Sequence, residues 1–295
     1  MTLEVRTLLE GFAAEVRGVD LSGALSEDTS RGLRSTFSQY AVLVLPGQAS
    51  ARREDLQRFA AVFGTPSGCG DITNLDDEGN VLDPESLDAR YTRGNFLWHM
   101  DMLVLEKPPL AAMLLARELP PSGGGQTQFA DLTRAWRRLA PARQRTLSKL
   151  RAVHTMETIR VKMGISDPEE LKSEYSPGEH PLVCVDPHSR SETLFFGAHT
   201  SHIVGLPTKE SDALLSELLD IATKEDAVYT HTWQLNDLLL WSNRRAMHRV
   251  LPYEYRRERR RLWRAEILSD QPPSPRVPWW RILTGKMSRP QATGR

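Results

Sequence analysis

The sequence predicts a mainly β protein with flanking helices, a sandwich or barrel rather than a doubly wound sheet. Two observations carry this. Short apolar runs of β type far outnumber helical patterns after residue 95, and no βαβ alternation is present. A third sets the scale: 295 residues, 40% hydrophobic, are enough for one large domain or two small ones with a sizeable core.

The elements follow in order. AEVRGVDL (14–21) reads as a strand. Ser26 is placed to cap a helix through Tyr40, and AVLVLPG (41–47) is then a buried strand closed by a Pro-Gly turn. Ser50 is placed to cap a second helix ended by Gly64. Residues 66–96 show little periodicity, and a loop that long is usually functional. FLWHMDML and AAMLLARE read as strands split by the Lys107-Pro108-Pro109 turn, and TQFAD as a short strand after the glycine turn SGGGQ. Helices are expected over 131–150 and 208–224, and a polar surface loop or lid over 166–180. HPLVCVD, ETLFFGA, AVYTHTWQ, DLLLWSN and RLWRAEIL supply the later strands.

Composition removes several function classes. Lys+Arg and Asp+Glu both number 38, so no global field attracts nucleic acid or an anionic membrane. Two cysteines, Cys69 and Cys184, make neither a disulfide framework nor a four-thiolate metal site. The N-terminus shows no signal-peptide core and no apolar run approaches a membrane span, so a cytoplasmic location is expected. No lysine precedes Lys107, so an anion bound by the first third is held by Arg, His or backbone N–H groups.

Chemistry concentrates in a few residues. In an extended WHMD segment His99 and Asp101 project to one face, two of the three ligands of a facial Fe(II) triad. Alone, such a pair reads first as polar residues at a strand edge. His248, following DLLLWSNRRAM, offers the distant third ligand. Beyond it Arg260, Leu262 and Arg264 share one face of an Arg-dense strand, and Arg259, Arg261 and Trp263 the other. Leu262 between two arginines suits an inward face presenting guanidiniums to a small dicarboxylate; the alternative is a solvated, charged edge.

From about Glu4 to Ile267 the chain resembles the taurine / 2,4-dichlorophenoxyacetate dioxygenase family. The matching stretches are WHMD, ELPPSGGGQTQFAD, FFGAHTSHIVGLP, WQLNDLLLWSNRRAMHR and RRLWRAEI, and they look closer to the aryloxyalkanoate branch. The resemblance implies a double-stranded β-helix (jelly-roll, cupin-like) core, one catalytic domain over 1–295 with its core at about 4–270 and a tail at 271–295, and a homo-oligomer. It implies Fe(II) held by His99, Asp101 and His248, and 2-oxoglutarate held at its distal carboxylate by Thr127 and Arg260. Arg264 would grip the anionic group of the prime substrate, and O2 would be consumed with release of succinate and CO2. The segment after His248 is one residue longer than the family pattern, so Arg259 competes with Arg260; parity with Arg264 favours Arg260.

The loop from Gly64 to Gly94 lacks the histidine with which taurine-type enzymes hold a sulfonate. That points to a small carboxylate with an apolar or aromatic body. Phe96, Ile72, Met100, Met102 and Met113 are candidates for its apolar wall, or ordinary core. His199 and His202 read as structural or as neighbours of the ligands, and His154, His180, His188 and His231 as non-catalytic. The competing readings are the same chemistry on an alkylsulfonate or sulfate ester, a non-catalytic jelly-roll binding protein, and a Zn(II) hydrolase.

Overall fold

A computed structural model describes residues 3–275; the expected tail lies outside the described residues from 276 onward. The first part of the chain forms β1 (Glu4–Leu9), β2 (Ala13–Arg17), α1 (Glu27–Gln39), β3 (Val42–Leu45), α2 (Arg53–Ala60), β4 (Gly70–Thr73) and α3 (Leu87–Thr92), the last running into a 3-10 turn at Arg93–Phe96. Next come β5 (Ala111–Glu118), β6 (Thr127–Asp131), α4 (Leu132–Arg137), α5 (Pro141–Leu147), β7 (Arg151–His154), α6 (Met156–Lys162) and α7 (Pro168–Leu171). The remainder holds β8 (Gly178–Pro181), β9 (Val183–Val185), β10 (Glu192–Leu194), β11 (Thr200–Ile203), α8 (Thr208–Ala222), β12 (Val228–His231), β13 (Leu238–Ser242), β14 (Ala246–Val250) and β15 (Arg261–Ile267).

Seven strands form one sheet in the order β1-β2-β3-β13-β5-β15-β4, antiparallel except at β2–β3. Its central strands are buried on both faces, which is why β3, β5 and β13 read as continuous apolar runs. Alternation divides them. Ala111, Met113 and Leu115 of β5 join Leu33 and Phe37 of α1 and Leu56 and Phe59 of α2 on the outer face. Ala112, Leu114 and Ala116, with Leu239, Trp241 and Leu262, face inward onto Phe129 of β6 and Ala246 of β14. The opposing sheet runs β12-β6-β14, and two smaller ones run β11-β7-β8 and β9-β10. A third apolar cluster joins α4 and α8 to residues 182–184 and 194–196.

The mainly β, helix-flanked class is as expected, and several elements match closely. Ser26 caps α1 by accepting the Thr29 N–H, and Tyr40 ends it. Other expectations are corrected. Ser50 caps nothing: α2 starts after Arg52, whose N–H donates to Asp55, and it ends at Ala60, short of Gly64. The 14–21 strand stops at Arg17, and Pro141 splits the 131–150 helix in two. FLWHMDML is no strand; the chain makes one β-bridge at His99 and turns from Asp101 onward. The long loops are also structured, with β4, α3 and the 3-10 turn in one and α7 and β8 in the other. Among the described residues, no helix is long and apolar enough to cross a membrane.

Candidate active site

Strand β14 positions His248, the first of the three candidate metal-holding residues. It pairs with β6 so that His248 lies opposite Phe129 and Val250 opposite Thr127, and paired residues share a face. That face looks into the space between the sheets, where the His248 ring lies against Phe129 and Trp241. His99 comes to the free edge of β14: its N–H donates to the His248 carbonyl at 3.0 Å, and the His248 N–H donates back at 2.8 Å. The two imidazoles are thereby set 4.2 Å apart, centroid to centroid. Two residues on, the chain reverses through Met102, whose φ of 48° lies in the left-handed region. This turn, not strand parity, brings Asp101 alongside the histidines.

Asn243 fixes the turn. Its side-chain oxygen accepts the Asp101 N–H at 2.7 Å, and its amide nitrogen donates to the carbonyls of Asp101 and Pro109, both at 3.0 Å. Fully buried at the β13–β14 turn, it has no competing water.

One donor atom each from His99, Asp101 and His248 lies within 4.8 Å of the others, and all three residues are buried. The His99 Nδ1–H donates to the Leu97 carbonyl at 2.7 Å, which leaves Nε2 as the free nitrogen. Burial pushes both histidines down, His248 to about 3, so both are neutral. Burial would raise the Asp101 carboxyl, but it lies below its ordinary value, and the Arg264 guanidinium is foremost among the charges that hold it there. Deprotonated N, N and O donors are what a divalent first-row metal requires. Asp101 Oδ2 and His248 Nδ1 are buried with no hydrogen-bond partner among the described residues, an expensive arrangement for a protein not built to fill it. The set fits Fe(II).

A second polar pocket adjoins it. Gly123, Gly124 and Gly125 all have positive φ. A Cβ on Gly124 would stand 2.9 Å from the Pro252 carbonyl, and one on Gly125 3.2 Å from Arg260 Nε, so glycine is required where this turn presses on the arginine. Arg260 is 3% exposed and has no carboxylate partner among the described residues. Its Nη2 donates to the Gly125 carbonyl at 3.3 Å, its Nε has no partner, and burial brings its pKa down to about 10. Thr127, two residues beyond Gly125, accepts the Trp233 indole N–H at 3.0 Å. An indole only donates, so the Thr127 hydroxyl proton is left for another acceptor. Arg259 is elsewhere: it is exposed and pairs with Glu118 and the Gly79 carbonyl.

Arg264 ends the inward row. Its Nη2 lies 3.1 Å from Asp101 Oδ1 and 2.5 Å from Glu266 Oε1. It lines a cavity of about 300 Å³ together with His99, Asp101, Met102 and His199, whose other wall is formed by Tyr91, Asn95, Met156, Ile159, Arg160 and Met163. A larger groove of about 760 Å³ between α6 and α8 contains none of the three clustered residues. Of the expected apolar wall only Met102 lines the smaller cavity. Met100 and Met113 are fully buried in core clusters, Ile72 packs on the inner apolar layer, and Phe96 lines the larger groove.

Two contributors escaped sequence reasoning, and a third, His199, was read only as structural or as a neighbour of the clustered residues. His199 lines the cavity because its segment packs closely on His99 at Gly197, where an added Cβ would stand 3.2 Å from the His99 Cα; the GAHTSH block was the available signal. For Asn243 the available signal was its place in the polar turn SNRR that follows the apolar run DLLLW. The α6 residues carried no signal beyond the cap Thr155. Elsewhere His202 is exposed, and His154, His180, His188 and His231 lie outside the cavity.

The sequence matches the family described as Taurine catabolism dioxygenase TauD, TfdA family over residues 4–265. It is 36% identical over 279 residues, 88% of this chain and 95% of the relative, to an alpha-ketoglutarate-dependent 2,4-dichlorophenoxyacetate dioxygenase of Cupriavidus pinatubonensis. An (S)-phenoxypropionate/alpha-ketoglutarate-dioxygenase of Sphingobium herbicidovorans is 31% identical, covering 88% of this chain and 92% of its own. The crystal structure of AAD-2 in complex with Mn(II) and N-oxalylglycine superposes with a TM-score of 0.88 at 32% identity, over 94% of this chain and 100% of that one. With a family match across nearly its whole described length, the chain belongs to the taurine catabolism dioxygenase TauD, TfdA family.

Proposed function

We propose that this chain is an Fe(II)- and 2-oxoglutarate-dependent dioxygenase that hydroxylates a small carboxylate with an apolar or aromatic body, of aryloxyalkanoate type. One catalytic domain, with its core at about 4–270, carries the reaction. The observation that carries the reading is Arg260, a buried guanidinium without a carboxylate partner, beside a three-donor metal set. A bare metal hydrolase or a binding protein has no use for that second anion pocket. The likeness to the phenoxyacetate and phenoxypropionate dioxygenases supports the substrate class.

His99, Asp101 and His248 hold the metal. Bound Fe(II) supplies the redox chemistry that couples decarboxylation of 2-oxoglutarate, to succinate and CO2, with oxygen insertion into a C–H bond. Arg260 and the free Thr127 hydroxyl proton bind the distal carboxylate of 2-oxoglutarate and so fix its orientation. Arg264 orients the substrate anion near Asp101, the positioning contribution to catalysis. Residues of α6 and α3 cover the cavity and exclude water. A cavity of about 300 Å³ lies at the small end of ligand pockets and suits one substituted ring.

A succinate-release screen over aryloxyacetates, aryloxypropionates, alkylsulfonates and sulfate esters tests this. Release matched by hydroxylated product on an aryloxyalkanoate is expected. Release on sulfonates or sulfate esters alone would move the substrate class, and no coupled release on any of the four would sink the proposal.

A further inference from the structure

Residues of α3, the 3-10 turn and α6 line one side of the cavity, and α7 is tied to α3 and α6 by polar contacts. α3 has six residues and α7 has four, with one buried residue in the first and none in the second. Helices this short do not hold themselves. Arg160 of α6 donates to the carbonyls of Leu171 and Lys172 at the end of α7, and its guanidinium lies 5.1 Å from the Tyr91 ring of α3. Gly94 lets the 3-10 turn press on α6, where an added Cβ would meet Met163 Sδ at 3.0 Å. Across 80 residues of sequence, Arg90 of α3 meets Glu170 of α7 in a two-pronged pair, Nη1 to Oε1 at 3.2 Å and Nη2 to Oε2 at 2.6 Å. Both side chains are about three-quarters buried, at 23% and 27% exposed.

We infer that the Arg90–Glu170 pair is the latch that keeps this roof shut, and that these two residues set the largest apolar body the cavity accepts. The inference rests on reading the cavity as the substrate site. A planar guanidinium fits a carboxylate at two points, so the pair fixes both distance and angle between α3 and α7. Removing one partner leaves the other charge half-desolvated, which favours swinging the segment into water. Segments with few buried apolar contacts open most readily, and besides this pair α3 meets α7 directly through the longer bond from the Tyr91 hydroxyl to the Glu170 carbonyl, at 3.4 Å. A shut roof selects small rings; an open one relaxes that limit and loosens its hold on small substrates.

The test compares Arg90→Ala, Glu170→Ala and the charge-swapped pair Arg90→Glu with Glu170→Arg. Two readouts are taken: kcat and KM for phenoxyacetate and the bulkier naphthyloxyacetate, and amide hydrogen exchange over 87–96 and 156–172. Each single variant should raise KM for phenoxyacetate about fivefold with kcat within about twofold, and shift kcat/KM about fivefold towards the bulkier substrate. Exchange should quicken in both segments, and the swapped pair should recover both readouts to within about twofold. Unchanged selectivity and exchange in the single variants, or a swap that recovers nothing, would overturn the latch. If the parent turns over neither aryloxyacetate, the substrate reading falls by itself. Exchange then decides the latch: quickened in the single variants and restored by the swap, it stands; unchanged, it falls.

Discussion

From a strand held by main-chain bonds to β6 on one side and to His99 on the other, His248 joins His99 and Asp101 beside the cavity. Ile159 reaches it from the seven-residue α6, whose neighbours are a four-residue helix and a 3-10 turn. The same contrast runs through the whole site. The floor, with His99, Asp101, His248 and Arg264, is fixed by ladder pairing and buried hydrogen bonds. The roof is fixed by side-chain contacts between pieces that cannot stand alone. Metal coordination tolerates errors of only about 0.5 Å, so it needs the rigid part. Admission of substrate needs a part that opens, and local opening is cheapest where burial is least.

The largest expected effect separates the two directly. Asp101→Ala should abolish metal binding and turnover while leaving the fold cooperative, because two ligands do not hold Fe(II). Retention of even a tenth of turnover, a barrier change of only about 1.4 kcal/mol, would refute the assignment. Ile159→Ala on the roof should keep turnover within about tenfold of the parent and act mainly on KM. Next in size is Arg260→Ala. Losing charge-assisted hydrogen bonds of about 1.5–3 kcal/mol should raise the 2-oxoglutarate requirement roughly 10- to 150-fold. Arg259→Ala, at an exposed pair with Glu118, should leave that requirement unchanged. Steady-state titration of 2-oxoglutarate checks both, and the reverse order would exchange their roles.

The floor was legible in the sequence where local pattern decides it. β5 and β13 are continuous apolar runs because both faces are covered, and parity around Leu262 is enough to mark Arg260 and Arg264 as inward. The approach of Asp101 to the histidines was not legible from strand parity. WHMD is apolar enough to pass for a strand, but what bends it is a hydrogen bond from the Asp101 N–H to Asn243, 142 residues away. No periodicity reveals a contact of that separation. The roof was illegible for a different reason. Helices of four to seven residues are too short to show a period, and only their caps, Ser86, Thr155 and Asp167, mark them.

Asn243 therefore gives the third prediction. Asn243→Ala leaves the Asp101 N–H and two carbonyls unpaired in a dry site, and loss of such outer support typically costs 10- to 100-fold in metal affinity. Titration of the apo-protein with Co(II), followed by its d–d absorption, should show a loss in about that range. Leu115→Ala, an equally buried cut in the same sheet that touches no ligand, serves as the control. Equal losses in the two variants would mean that Asn243 supports the fold and not the ligand.

The smallest expected effect sits where floor meets roof. His154 ends β7, and the next residue, Thr155, caps α6 by accepting the Thr158 N–H at 3.0 Å. The His154 Nδ1 lies 3.1 Å from the Thr200 hydroxyl, its Nε2 has no partner, and burial with the nearby His180 and His199 pushes it down to about 3. Above pH 6.5 His154 is neutral in the folded and unfolded chain alike, so it contributes no pH dependence. Between 6.5 and about 3 the unfolded chain takes up a proton that the folded one refuses, and stability falls with pH by at most about 1.4 kcal/mol per unit from this residue. His154→Gln should remove that share of the slope. Denaturant unfolding measured at pH 6.5, 5.5 and 5.0 for parent and variant gives the two slopes. Amide exchange on the same samples locates the effect: the difference between parent and variant on acidification should fall in α6 and not in β6 and β14, where His248 is common to both. A parent slope matched by the variant would mean that His154 keeps its proton inside the fold, and the junction would then be no weaker in acid than the floor beneath it.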